Sequence, residues 1–206
     1  MSPESRPVNP PRVLLFDLGG VLLESVGFER LRELLPAPLE AAQLKARWLS
    51  SPAARDFERG AITPPEFAAR LVAEWHLRCT PAQLLGEYRD WVRGFYPGAL
   101  ELLARLRRRY RVACLSNSNA LHWDKFGGFA GQFEPALASH LMGTLKPDEA
   151  CFADAVRACA APADSIAFFD DAAPNVSAAR RVGLRAHRVD GPQGVLEVFA
   201  REGWPA

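Results

Sequence analysis

Short apolar runs mark the strands of this sequence. Residues 13–16 (VLLF) and 166–169 (IAFF) contain no polar side chain. An unbroken apolar run of this length, bounded by turn residues, is typical of a parallel strand that is buried on both faces. Weaker runs at residues 111–115, 136–139 and 184–189 predict three further strands. The pattern therefore indicates a sheet of about five strands.

A different pattern occupies residues 28–92, where apolar positions follow helical spacing. Thr63 is followed three residues later by Glu66, and Thr80 by Gln83, each with proline directly after the threonine. These are capping boxes, which start helices. We find no strand pattern in this segment, so it is predicted to form four or five helices.

Together these patterns predict an α/β fold: a doubly wound, Rossmann-like parallel sheet with a small helical cap inserted after the first strand. The core is expected to comprise residues 12–24 and 96–206, and the cap residues 25–95. Residues 1–11 are polar and rich in proline and lack an apolar stretch, so we expect a disordered tail and no signal peptide.

The composition of the chain bears on which partners and which cellular compartment to expect. The 206 residues carry a formal net charge of +1, which favours neither a nucleic-acid partner nor a membrane surface. No apolar run is long enough to cross a bilayer. The four cysteines contain no C-x-x-C pair and suggest reduced thiols. We therefore expect a cytoplasmic protein; the sequence is silent on oligomeric state.

The first candidate for chemistry is Asp17, which directly follows the strand at residues 13–16. Ligands of open α/β sheets bind beyond the carboxyl ends of the strands, so this carboxylate could be catalytic. Gly19 and Gly20 then allow a sharp turn and leave main-chain groups free to approach a ligand. The alternative is that Asp17 only caps the turn.

Two further strands end in polar side chains. Ser116 and Asn117 follow the strand at residues 111–115, and their hydroxyl and amide groups could bond anionic oxygens without adding charge. Lys146 stands just before a predicted helix, where it could hold a carboxylate and a phosphate together. Each signal is weak alone, because such residues are also common in turns and on surfaces.

The strand at residues 166–169 ends in two adjacent acids, Asp170 and Asp171, and Asn175 opens the next helix. Two neighbouring carboxylates repel each other unless a cation lies between them. Carboxylates, carbonyls and water are the ligands that Mg²⁺ prefers. This strand end is therefore a candidate magnesium site.

Four motifs taken together resemble the haloacid dehalogenase-like (HAD) hydrolase superfamily. They are FDLGGV at residues 16–21, LSNSN at 115–119, LKP at 145–147 and FFDDAAPN at 168–175. Residues 57–63 and 116–122 look especially like a helical-cap branch of that superfamily. This branch includes bacterial α-glucose-1-phosphate phosphatase and the phosphatase domain of soluble epoxide hydrolases.

The resemblance implies a mechanism and a set of residues. Asp17 would be the nucleophile that forms an aspartyl-phosphate. Mg²⁺ would be held by three groups: Asp17, the main-chain carbonyl of Gly19, and Asp171. Phosphate would contact Ser116, Asn117, Lys146 and Gly20, and catalysis would use Asp17, Lys146 and Ser116. The supporting residues would be Asp170, Asn175 and His122, with Asp170 beside the metal or Lys146 and Asn175 orienting the acids.

One position departs from the family. Most of its phosphatases carry an acid two residues after the nucleophile, where this chain has Gly19. That acid protonates the leaving group, which is typically worth about 10²–10⁴-fold in rate. His122 and Glu24 are candidate replacements by position. His122 could equally be a surface residue at a helix start.

The sequence therefore predicts a magnesium-dependent phosphomonoester hydrolase that acts on a small phosphorylated metabolite, with a sugar phosphate as the expected substrate. Two alternatives remain. A haloacid dehalogenase uses the same kind of nucleophile but needs no metal, which the pair Asp170 and Asp171 opposes. A catalytically weak binding or regulatory protein would retain the fold and the metal, and Gly19 favours this reading.

Overall fold

A computed structural model describes residues 9–126 and 130–206 of the chain. Most of the predicted tail, residues 1–8, lies outside this range. The strands are β1 Val13–Phe16, β2 Leu23–Ser25, β3 Val92–Phe95, β4 Arg111–Ser116, β5 Ala136–Ala138, β6 Ile166–Asp170 and β7 Arg185–Arg188. The helices are α1 Gly27–Leu34, α2 Ala41–Ser50, α3 Pro52–Glu58, α4 Pro64–Trp75, α5 Pro81–Tyr88, α6 Ala99–Leu106, α7 Ala120–Trp123, α8 Ser139–Met142, α9 Glu149–Cys159, α10 Ala173–Arg181 and α11 Gly191–Glu202.

Five of the strands form one parallel sheet in the order β5-β4-β1-β6-β7. β1 is central, and its last residue, Phe16, pairs with Cys114 of β4 and Phe169 of β6. The five predicted strands and the doubly wound α/β fold are confirmed. The central place of β1 puts the residues that follow it between the ends of β4 and β6.

Helices cover both faces of this sheet. Side chains alternate along a strand, so Leu14 and Phe16 pack with α6 and α11, while Val13 and Leu15 pack with α9 and α10. All four are fully buried. This two-sided burial explains why β1 reads as an unbroken apolar run. Within the described residues no helix is both long and apolar enough to cross a membrane.

The helices α1 to α5 pack around a separate apolar cluster between β2 and β3. Thr63 and Thr80 cap α4 and α5 in the predicted capping boxes. Trp75 is fully buried at the centre of this cluster, and Trp48 meets its ring edge-on at 6.2 Å. The helical character of the insertion is therefore as expected.

Two short strands in this region were not predicted. β2 and β3 form an antiparallel pair in which Leu23 lies opposite Phe95. The pair joins the chain segments that enter and leave the helical insertion. Glu24, Arg93 and Gly94 interrupt any apolar run or alternation there, so neither strand has the pattern that signals one. The expectation of no strand in this segment was wrong at Val92.

Helix α3 attaches the helical insertion to the core. Arg55 donates to both carboxylate oxygens of Asp148, at 3.0 and 2.9 Å, and Arg59 donates to one of them at 2.8 Å. The hydroxyl of Ser139 donates to the carbonyl of Glu58 at 2.6 Å. Two arginines therefore converge on one carboxylate, and hydrogen bonds between charged groups are stronger than neutral ones. The carboxyl end of α3 is therefore held against the loop that follows Lys146.

Glu58 is a buried acid at this junction. Trp48 donates its indole N–H to Oε1 of Glu58 at 3.0 Å. Burial raises the pKa of Glu58 to about 7, against the partial opposing effects of Trp48, Lys146 and Arg55. A carboxyl whose pKa is higher in the folded state than the usual 4.5 destabilises the fold once it must ionise.

We expect Glu58→Gln to remove a pH-dependent loss of stability. Below the unfolded pKa the acid is neutral in both states and costs nothing. As pH rises through the folded pKa, the wild type should lose up to about 3 kcal/mol of unfolding free energy that the glutamine variant keeps. Urea unfolding at pH 5 and pH 8 measures this, with exposed Glu29→Gln as the control. An equal difference between variant and wild type at both pH values would contradict it.

Candidate active site

The carboxyl ends of three adjacent strands bring the predicted acids and donors together. Asp17 follows β1, Ser116 ends β4, Asp170 ends β6, and Asp171 comes directly after it. Lys146 reaches the same place from the loop before α9. The convergence follows from the parallel topology, because all these strands end at one edge of the sheet.

Lys146 is the centre of the charge network. Its side chain is 1% exposed, and Nζ lies 2.9 Å from Oδ1 of Asp17 and 2.7 Å from Oδ2 of Asp170. Burial alone would lower the pKa of Lys146, but the two carboxylates outweigh it and raise the pKa above its usual value. The ammonium is therefore permanently charged at neutral pH.

The carboxylate of Asp17 is held in a fixed orientation. Oδ1 accepts from the main-chain N–H of Leu18 at 2.7 Å, in addition to its contact with Lys146. Burial raises the pKa of Asp17 to about 8; Lys146 opposes this, and the charges of Asp170 and Asp171 add to it. Lys146 contacts only two of the three acids at this site, so it cannot balance the charge of all three carboxylates.

Asp170 is fully buried, and both of its oxygens are bonded. Oδ1 accepts from the N–H of Ala172 at 2.8 Å, Oδ2 accepts from Lys146, and the amide of Asn175 donates to both at 3.0 Å. Of the two supports considered for Asp170, these contacts favour Lys146. Asn175 lies where it can orient Asp170, one of the two acids expected.

The amide of Asn117 is used within the protein. Its Nδ2 donates to the carbonyl of Lys146, and its Oδ1 accepts from the N–H of Lys146, both at 2.9 Å. The side-chain amide is therefore engaged with Lys146, and the contact between Asn117 and phosphate stays a prediction. Asn117 holds the backbone of Lys146 in place. Ser116 is different, since its hydroxyl makes only a long 3.4 Å contact with the carbonyl of Asn117.

The main-chain groups of Gly20, which is predicted to bind substrate, have partners within the protein. Its N–H donates to Leu23 at 3.0 Å, and its carbonyl accepts from Gly191 at 2.9 Å. Gly20 instead allows the turn, with φ of +76°, and gives room to Asp171. A Cβ at this position would lie 2.8 Å from Oδ2 of Asp171. The need for glycine is steric here.

His122 is also paired inside the fold. Its ring stacks on Tyr88 at 4.5 Å, Nε2 lies 2.7 Å from the carbonyl of Tyr88, and Nδ1 lies 3.2 Å from the amide of Asn119. Burial lowers the pKa of His122 to about 4, so the ring is neutral near pH 7. These contacts disfavour the expected role as a replacement acid. Glu24, the other candidate, is exposed on β2.

Three carboxylates could hold a metal ion. One oxygen from each of Asp17, Asp170 and Asp171 lies within 4.8 Å of the others. Asp170 is saturated by its own donors, which leaves Asp17 and Asp171. Hard oxygen ligands and surplus negative charge suit a divalent cation such as Mg²⁺. The residues present therefore fit the expected metal.

Sequence inspection missed one charged residue at this site. Lys45, on α2 of the helical insertion, forms an ion pair with Oδ2 of Asp171. The two residues are 126 positions apart, and Lys45 belongs to none of the four motifs. A lysine in the middle of a surface helix carries no local signal of such a contact. Only the packing of the insertion over the sheet brings it there.

Sequence comparisons relate this chain to known hydrolases. The sequence profile of a hydrolase family described as haloacid dehalogenase-like hydrolase matches residues 11–183. A curated relative, phosphatase MT3486 of Mycobacterium tuberculosis (strain CDC 1551 / Oshkosh), is 28% identical over 188 residues, which cover 86% of both chains. The matched span contains all four motifs.

Two solved structures share the fold. One is the HAD family enzyme bt-2542 of Bacteroides thetaiotaomicron in complex with magnesium and inorganic phosphate. It has a TM-score of 0.66 and 22% identity, over 87% of this chain and 94% of that chain. The other is the L-2-haloacid dehalogenase PA0810, with a TM-score of 0.60 and 24% identity, over 87% of this chain and 84% of that chain. With its matching profile, motifs and fold, the chain belongs to the haloacid dehalogenase-like hydrolase family.

Proposed function

We propose that this protein is a magnesium-dependent phosphomonoester hydrolase that acts on a small phosphorylated metabolite. The observation that carries this proposal is the buried contact of Lys146 with Asp17 and Asp170 beside the acid cluster. Two relatives support it. The curated relative is named a phosphatase, and the bt-2542 structure holds magnesium and inorganic phosphate.

Asp17 is the nucleophile in this proposal. A carboxylate oxygen attacks phosphorus, the bond between phosphorus and the ester oxygen breaks, and an aspartyl-phosphate forms. Water then hydrolyses this acyl phosphate and restores the carboxylate. Lys146 and the N–H of Leu18 hold Asp17 in position for the attack. Lys146 and the hydroxyl of Ser116 are the proposed contacts to the phosphoryl oxygens.

The proposed metal ligands are Asp17, the main-chain carbonyl of Gly19, and Asp171. When bound, Mg²⁺ neutralises charge on the transferring phosphoryl group. Asp170 keeps Lys146 charged and in place, and Asn175 orients Asp170. Each of these assignments rests on position and contacts within the chain.

The substrate class follows from Gly19, which has no side chain to protonate the leaving group. A leaving oxygen that departs easily without a proton suits such a site. Sugar 1-phosphates have a more acidic leaving group than primary sugar phosphates. We therefore propose a sugar phosphate, esterified at the anomeric carbon, as the substrate class.

The proposed function is tested by a hydrolysis screen with and without Mg²⁺, over sugar, nucleotide, aryl and acyl phosphates. We expect phosphate release that requires the metal and is absent from a Lys146→Met preparation. The screen includes a 2-haloalkanoic acid, because a dehalogenase would release halide from it without metal. Halide release without phosphatase activity would replace the proposal with the dehalogenase alternative. No turnover, despite metal binding, would favour a regulatory protein.

Rates should fall steeply as the leaving group becomes less acidic. Without an acid at Gly19, we expect sugar 1-phosphates to react about 10²–10⁴-fold faster than 6-phosphates of the same sugar, the range that general acid catalysis spans. A plot of log kcat against leaving-group pKa measures the slope. A flat plot, with chemistry limiting the rate, would reveal a proton donor that this proposal lacks.

The variant Gly19→Asp tests this proposal by adding the acid that most phosphatases of the family carry at this position. A Cβ at Gly19 would meet no atom within 4 Å, and this residue is not in the left-handed region. The added acid should therefore flatten the plot by speeding up the poor leaving groups. Gly86→Asp, an exposed glycine with the same free space on α5, is the control. Identical slopes for both variants would show that an acid at position 19 is not what is missing.

A further inference from the structure

The ion pair between Lys45 and Asp171 joins the helical insertion directly to the proposed metal site. The side chains of Lys45 and Asp171 are 33% and 28% exposed, so the pair faces solvent on one side. Lys45 lies in α2, whereas Asp171 follows β6. The ammonium occupies Oδ2 of Asp171, an oxygen of the carboxylate that we propose as a metal ligand.

Asp171 itself has little freedom to follow Lys45. Its Oδ2 lies so close to Gly20 that a Cβ added to this glycine would be 2.8 Å from the oxygen. Its carbonyl accepts from Nε of Arg188 at 3.2 Å. The main chain of Asp171 is therefore held by the core and its side chain is short, whereas Lys45 is the long, flexible partner of the pair. A lysine stem can swing its charge away with little rearrangement.

A metal ion and this ammonium would compete for the charge of one carboxylate. The ammonium is attracted by the negative charge of Asp171, but it would be repelled by a divalent cation bound there. Metal binding should therefore weaken the contact between Lys45 and Oδ2. The same competition requires that the lysine weakens metal binding, because reciprocal effects between two ligands of one group are equal.

We propose that Lys45 is a counter-ion from the helical insertion that competes with Mg²⁺ for Asp171, so that metal binding breaks this contact between the insertion and the core. This inference rests on the proposed metal site. Lys45 is then a positioning residue: whether it holds the insertion to Asp171 depends on whether a metal ion is bound. The α3 attachment through Asp148 is separate and would persist.

A cavity beside the pair provides space for the exchange. Lys45, Asp171, Arg188 and Asp190 are among the residues that line it, and its volume is about 570 Å³. Six hydration waters at about 30 Å³ each would occupy roughly a third of this space. The cavity therefore gives the ammonium of Lys45 room to move away from Asp171.

The first experiment measures Mg²⁺ affinity by calorimetry, without substrate, for the wild type and for Lys45→Met. Methionine keeps most of the stem and favours helix, but lacks the charge. We expect Kd to fall by about two- to fivefold, the effect of removing a partly exposed competing ion pair. Arg32→Met, an exposed cation of the same insertion, is the matched control and should leave Kd unchanged.

The second experiment uses the unmodified protein and measures amine reactivity. The chain has three lysines, so an acetylating reagent followed by peptide mass spectrometry reports each one. We expect Mg²⁺ to raise the labelling rate of Lys45 several-fold. Lys125, which pairs with Asp90 outside the site, should not change. Lys146, which is 1% exposed, should stay unlabelled.

The outcomes separate this inference from the proposed function. Tighter binding in Lys45→Met, with faster labelling of Lys45 in the presence of Mg²⁺, supports the inference. If the wild type binds Mg²⁺ but Lys45→Met binds it equally or more weakly, the competition is refuted and the proposed metal site stands. If neither protein binds Mg²⁺ by calorimetry, both the competition and the magnesium part of the proposed function are overturned.

Discussion

Replacing Asp17 by asparagine should lower kcat for phosphate-ester hydrolysis by at least about 10⁴-fold. An amide oxygen is a very weak nucleophile, and the variant cannot form the aspartyl-phosphate. Asparagine has the same shape as aspartate and can still accept from Leu18 and Lys146. The fold should therefore persist, with Lys146 still paired to Asp170.

Turnover of an aryl phosphate with Mg²⁺ measures this effect, and circular dichroism checks the fold. Asp164→Asn, an exposed acid just before the amino end of β6 and so at the opposite edge of the sheet from Asp17, is the matched control and should retain full activity. Rapid acid quenching of the wild type during turnover should also show one added phosphoryl group by mass spectrometry. More than about one per cent residual activity in Asp17→Asn would exclude Asp17 as the nucleophile.

Lys146→Met is expected to lower the unfolding free energy by about 3–5 kcal/mol and to abolish turnover. The lysine is fully buried between Asp17 and Asp170, so its loss leaves two carboxylates close together without the cation between them. Removing one partner of a buried ion pair is far more costly than the pair is stabilising, because the remaining charge has no compensation.

The free energy is measured by urea unfolding at pH 7. The control is Lys125→Met: its partner Asp90 is largely exposed, so this pair should contribute about 1 kcal/mol or less. The double variant Lys146→Met with Asp170→Asn should recover part of the stability but no activity, because it removes one uncompensated charge. A loss no larger than that of Lys125→Met would show that the buried network is not a major source of stability.

The apolar pattern of the sequence determines the parallel sheet and the order of strands and helices along the chain. Fully apolar runs such as residues 13–16 can only be buried on both faces, and strands that alternate with helices form parallel sheets. The carboxyl ends of such strands lie at one edge. The meeting of Asp17, Ser116 and Asp170 therefore follows from local pattern and topology, and the sequence predicted it.

Hydrogen-bond partners at the same edge were decided by tertiary structure. Asn117 and Gly20 lie where the sequence placed them, but their polar groups are paired with Lys146, Leu23 and Gly191. Spacing along the chain shows which residues share an edge. Whether an amide faces a neighbour or remains open to a ligand depends on loop conformations that spacing does not specify.

The contacts of the helical insertion with the core also depend on tertiary structure. Lys45 meets Asp171 across 126 positions, and Arg55 meets Asp148 across 93. The helical pattern of residues 28–92 predicts an apolar interior for the insertion, but it does not determine how the insertion is oriented over the sheet. That orientation arises from packing and ion pairs between surfaces distant in sequence, and it alone brings Lys45 to the proposed metal site.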